Sequence, residues 1–150
     1  MQLARTKIFR NLLIISIFLS SRALADGYAS PYGEWRGQTQ YQAFIGTTSD
    51  PAAHIVTNLT IKIDPQGKVN GISSENGCHL LGIATPSMTT TSVMLDITLT
   101  GCSYLGLNRT YKGLLSLYSK EKYASFSLQA FQIGYGKVGG TYNITSTMRR

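Results

Sequence analysis

Residues 54–77 read HIVTNLTIKIDPQGKVNGISSENG, and their period is two. Ile55, Thr57, Leu59, Ile61 and Ile63 alternate with His54, Asn58, Thr60 and Lys62. Successive side chains of an extended chain point to opposite sides, so this alternation predicts a strand with one face on a core. Asp64-Pro65-Gln66-Gly67 then turns the chain. Proline presets φ at the second turn position and glycine closes the turn. A second strand is predicted over 68–74. Asn76-Gly77 follows it with two residues that tolerate positive φ, as a tight hairpin requires.

The same period extends in both directions. Upstream, Trp35, Gly37, Thr39, Tyr41, Ala43 and Ile45 alternate with Glu34, Arg36, Gln38, Gln40 and Gln42. Downstream, strands are expected near 78–85, 92–102, 111–119, 123–132 and 137–145. No convincing amphipathic helix is visible in this part of the chain. The fold class predicted is therefore all-β, with about eight antiparallel strands forming an up-and-down barrel or a sandwich.

The N-terminus has a different character. Arg5, Lys7 and Arg10 precede an apolar run, Leu12 to Leu19, and Ala23-Leu24-Ala25 has the small-x-small form of a signal-peptidase site. That run is far short of the ~20 residues that span a bilayer. The expected organisation is a cleaved signal peptide at 1–25, a loose leader at 26–33 and a single β domain at 34–150. A periplasmic or secreted chain that does not span the membrane after cleavage is implied. The net charge of +7 then loses most of its meaning, because Arg5, Lys7, Arg10 and Arg22 belong to the signal. Arg149 and Arg150 sit at what reads as a frayed end, and Lys120 and Lys122 flank Glu121 in a predicted turn. Nucleic acid needs basic residues clustered on one face, so no nucleic-acid partner is expected.

Cys78 and Cys102 are the only cysteines. An even count in an exported chain predicts one disulfide. With His54 and His79 they lack the close paired spacing of a zinc site, so neither metal nor cofactor is expected. Placing Cys78 opposite Cys102 in a hairpin sets Leu81 against Leu99, Ile83 against Ile97 and Thr85 against Leu95. That register gives one apolar face, carrying His79, and leaves the cysteines and Asp96 on the other.

Gly33-Glu34-Trp35 at the start of the first strand resembles the calycins, the small up-and-down barrels that include lipocalins and avidins. Residues 58–71, NLTIKIDPQGKVNG, look like the second avidin hairpin. The resemblance implies a barrel with Trp35 closing one end. It does not imply biotin binding, since avidin-like pockets use several tryptophans and this chain has one. Asn76-Gly77-Cys78, Gly101-Cys102 and Tyr111-Lys112-Gly113-Leu114-Leu115 also resemble small periplasmic proteins of unknown function from Gram-negative bacteria.

Gly134-Tyr135-Gly136-Lys137-Val138-Gly139 matches a dinucleotide-loop pattern, but a strand rather than a helix is expected after it, so a hairpin turn or bulge is predicted. His54 lies near Asp50, without the nucleophile elbow of a hydrolase, and no catalytic residue is assigned. Asn58, Asn108 and Asn143 begin N-x-T triplets, which matter only in a eukaryotic secretory pathway. Residues 103–110, SYLGLNRT, form a loop after the disulfide. Anchored loops carry function and Tyr and Arg are frequent hot spots, so Tyr104, Leu105, Leu107 and Arg109 are the candidate contact residues. The expected function is a non-enzymatic exported binding module, a protein-binding inhibitor or immunity-type factor. The alternatives are a barrel carrier of a small apolar ligand and an envelope enzyme without a recognisable motif.

Overall fold

The structure is a computed structural model and describes residues 30–118, 122–134 and 138–150. The signal-peptide reading, the first residues of the leader and Lys120 lie outside these. Among the described residues nine strands form: β1 (Gly33–Ile45), β2 (Thr48–Ser49), β3 (Ile55–Ile63), β4 (Lys68–Ser73), β5 (Cys78–Pro86), β6 (Ser92–Thr100), β7 (Thr110–Leu117), β8 (Tyr123–Gln132) and β9 (Gly140–Arg149). β1 and β3 to β9 pair antiparallel with their sequence neighbours, and β9 returns to pair with β1. The result is a closed eight-stranded barrel with β2 as a two-residue addition on β1. Closure decides between the two expected architectures. The chain after Gly139 is strand, as a hairpin connection requires; residues 135–137 of that connection lie outside the description.

The predicted turn at 64–67 forms as read. Gly67 N donates to Asp64 O at 2.9 Å, and the Asp64 carboxylate accepts from Gln66 N and Lys68 N. Inside the barrel, Trp35, Tyr41, Leu59, Ile61, Ile63, Leu80, Ile97, Leu99, Tyr111, Leu115 and Phe126 are fully buried. An eight-stranded barrel is just wide enough for side chains to fill it. Gly113 also faces inward, where a Cβ would fall 1.9 Å from Ser127 O. Only glycine lets the β7 and β8 backbones approach so closely, which coils the wall at this corner. Outward positions such as Gln38, Gln40, Asn58, Lys62, Lys68, Thr98, Lys112, Gln129 and Thr145 are polar, whereas Ile72, Leu81, Ile83, Met94 and Leu114 on β4 to β7 expose apolar side chains.

The disulfide Cys78–Cys102 forms, but the register proposed around it is off by one. β5 and β6 pair His79 with Thr100, Leu80 with Leu99, Gly82 with Ile97 and Ala84 with Leu95. The ladder ends at Thr100, and Gly101 at φ +73° turns the chain so that Cys102 swings inward beyond the paired strand. One residue of slip exchanges the two faces of a strand. Leu81 and Ile83 therefore point outward, and both cysteines are buried in the core. His79, expected on the apolar face, is exposed. Asp96 is on the outer wall as expected, 3.8 Å from Lys112, but not on the cysteines' side.

The barrel has two unlike ends. At one, Trp35 is buried, its indole Nε1 donates to Pro31 O at 2.8 Å, and the Arg150 guanidinium lies 4.6 Å above its ring. Arg150 also donates to the carbonyls of Ser30 and Tyr32. Residues 30–33, read as loose, are thus pinned to the barrel, and Arg149 stacks on Tyr123 rather than fraying. The other end holds the disulfide and the connections 46–54, 74–77 and 101–109, together with residues 133–134 and 138–139.

Candidate binding surface at the disulfide end

The loop 101–109 is built by its own polar side chains. Cys102 N donates to Asn108 Oδ1 at 2.9 Å, while Leu107 N and Asn108 N close a 3-10 turn onto Tyr104 O and Leu105 O. Ser103 ties the loop to the next turn, its N and Oγ both donating to Asn76 O. The disulfide fixes its base. A loop so constrained presents its surface side chains in one arrangement.

The four predicted contact residues have different placements. Leu107 is fully buried and plugs the barrel mouth, where Tyr111 OH donates to its carbonyl at 3.1 Å. It faces the core and is not available to a partner. Tyr104 is half-buried, and its hydroxyl donates to Asp50. That hydrogen bond holds the Tyr104 phenol up to about 12, with burial and the Asp50 charge adding to it. Arg109 is half-buried, stacked 3.4 Å over the Tyr142 ring, with Nε on Gly106 O and Nη1 on Gln132 Oε1. Burial raises the phenols of Tyr111 and Tyr41 as well, with Ser73 and Asn76 opposing the Tyr41 shift. Leu105 alone of the four stands free, at 78% exposed.

It is not isolated. Phe131, Ile133 and Val138, which loop-by-loop reading of the sequence missed, are 68–82% exposed at the same end. Ile45 adds a smaller exposed area, and the β8–β9–β1 register places Phe131 and Phe44 on either side of Thr141. The rim at this end thus exposes Leu105, Phe131, Ile133 and Val138 among polar loop residues, with Tyr104 and Arg109 half-buried beside them. Clustered exposed apolar side chains rimmed by polar groups mark interaction sites, whereas scattered ones do not.

His54 Nε2 lies 2.8 Å from Ser49 Oγ on the exposed side of this end. The Asp50 carboxylate is committed to Ala52 N and Tyr104 OH, so it does not orient the imidazole. Among the described residues no group of three His, Cys, Asp or Glu side chains could hold a metal ion. Trp35 lies at the opposite end and takes no part in this surface. Compared with protein-family models, curated proteins and solved structures, the chain matches none.

Proposed function

We propose that the chain is an exported, non-enzymatic binding module that captures another protein of the envelope or extracellular space, as an inhibitor or immunity-type factor does. The observation that carries this is the exposed apolar end: Leu105 stands on the connection anchored by the Cys78–Cys102 bond, and Phe131, Ile133 and Val138 stand exposed at the end of β8 and on the β8–β9 connection. Tyr104 and Arg109 at the same end are of the residue types enriched at interface hot spots. The inward layer supports a protein partner over a small apolar ligand. Trp35, Tyr41, Tyr111 and Phe126 occupy the space a carrier would need to keep open. Kinship with the calycins belongs to the same reading, supported by the eight-stranded closure and by Trp35 at the barrel end. A periplasmic or secreted location is supported by the N-terminal pattern and the disulfide.

The test uses the oxidised protein, immobilised and washed with the source cell's envelope extract. One protein retained in stoichiometric amount, and lost with Leu105→Asp/Ile133→Asp at unchanged melting temperature, is the expected result. Equal retention by the variant sinks the assignment of the rim. A co-purifying small apolar molecule in place of a protein moves the assignment to the carrier.

A further inference from the structure

An open groove of about 640 Å³ crosses the outer wall below the rim, over β8, β9, β1 and β3. Its polar lining is Gln38, Gln40, Ser125, Ser127, Thr145, Ser146 and Thr147, and none of these carries a charge. The strand registers arrange it as two rungs. One runs Ser127, Thr145, Gln40, Val56; the next contains Ser125, Thr147 and Gln38. The β1–β9 ladder is interrupted here without a change of register, pairing Arg36 with Arg149 and resuming at Thr39 with Ser146, so that Gly37 and Gln38 face Met148 and Thr147 without ladder pairing. Ser146 Oγ reaches across to Gln38 O at 2.8 Å.

Among the described residues, the side chains of Gln38, Gln40, Ser125, Ser127, Thr145 and Thr147 make no hydrogen bond to the protein. One rung higher the situation differs, since Gln129 and Asn143 are closed on each other at 3.0 Å. Six neutral side chains that both donate and accept, or can be paired to do so, are thus presented together. Neighbouring strands are about 4.8 Å apart, so each rung offers polar groups at that repeat. An extended chain of pyranose rings carries hydroxyls at a similar repeat. Val56, 56% exposed at the end of one rung, offers an apolar contact for the C–H face of a ring.

We infer that this groove is a binding site for a neutral, extended oligosaccharide lying across the strands, its hydroxyls exchanging hydrogen bonds with the two rungs. The lining itself holds no cation to replace the water of a phosphorylated or acidic glycan, and Arg36 and Arg149, one rung further along, are engaged by Glu34 and by the Tyr123 ring. The site is separate from the rim and does not depend on the function assigned to it.

The experiment is a titration of the isotope-labelled protein with chitotetraose, and in parallel with cellotetraose, followed by amide chemical shifts. Saturable shifts confined to β1, β8, β9 and the start of β3 are expected with at least one of them. Gln40→Ala/Thr145→Ala should weaken that binding at least tenfold, and Ser127→Arg, which fills the groove without touching the core, should abolish it. Leu105→Asp/Ile133→Asp should leave it unchanged, which keeps this site distinguishable from the rim. Response to cellotetraose as well as chitotetraose means that ring hydroxyls suffice; response to chitotetraose alone means that the acetamido groups are read. No shift with either sugar, shifts at the rim instead, or equal binding by the groove variants overturns the inference.

Discussion

Tyr104 donates its phenolic hydrogen to the carboxylate of Asp50, joining two connections 54 residues apart across the mouth of the barrel. The bond fixes the sign of a pH effect. The Tyr104 phenol is raised from 10.0 to about 12, so below pH 10 both folded and unfolded chains hold the proton and the link contributes in full. Between 10 and 12 the unfolded chain releases its proton first, and stability falls as pH rises. Tyr104→Phe should flatten this part of the stability–pH curve, measured by urea unfolding at stepped alkaline pH. A residual slope is expected from Tyr41 and Tyr111, whose phenols burial also raises. An unchanged curve in the variant would show that the link contributes nothing.

The Cys78–Cys102 bond closes a loop with a sequence separation of 24 residues. On the chain-entropy model its loss costs about 3.5 kcal/mol. Cys78→Ser/Cys102→Ser should show that loss in denaturant unfolding. Amide exchange should accelerate first in 101–109, because that loop loses its base.

Gly113→Ala places a methyl group 1.9 Å from Ser127 O, on backbone that cannot move aside without opening the β7–β8 ladder. A cost of at least 1–3 kcal/mol is expected, the range for overpacking. A variant with wild-type midpoint in urea would mean that the corner is softer than its contacts imply.

Arg150→Ala removes a cation 4.6 Å from the Trp35 ring and two donors to Ser30 and Tyr32. A cation–π contact of this kind contributes about 0.5–2 kcal/mol. Trp35 is the only tryptophan, so its fluorescence reports on this end alone. The variant should red-shift the emission and admit acrylamide, while the amide signals of the 101–109 loop stay in place.

Most of the fold was legible because a half-buried strand writes its period directly into the sequence. The alternation from Trp35 to Ala43 and from Ile55 to Ile63 reappears residue by residue in the burial. The register of β5 against β6 was not legible, because apolar residues occupy both faces of β5 and hydrophobic matching alone cannot choose between them. Gly101 makes the choice through its backbone: an extra left-handed residue before Cys102 lets a disulfide form without the two cysteines being paired in the ladder. The candidate site was legible only in part. Loop 103–110 could be found from its position after a cysteine, but Leu105 and Leu107 look alike in sequence and differ only in which side of a 3-10 turn they occupy. Phe131, Ile133 and Val138 come to the same end of the barrel as Leu105 through the antiparallel order of the strands, a relation that no local pattern carries.

Closure of β9 onto β1 leaves each long strand with a neighbour on both sides, and among the described residues the longest stretch without a ladder partner on the β3–β4 side is Ile55–Leu59, where β3 runs on past β4. Docking by strand addition, in which main-chain hydrogen bonds supply affinity with little regard to sequence, therefore has only this short stretch to use. The binding proposed for the rim and for the groove would pass through side chains instead. Few positions would then carry much of the affinity, and single substitutions there would redirect it while the backbone framework stays as it is.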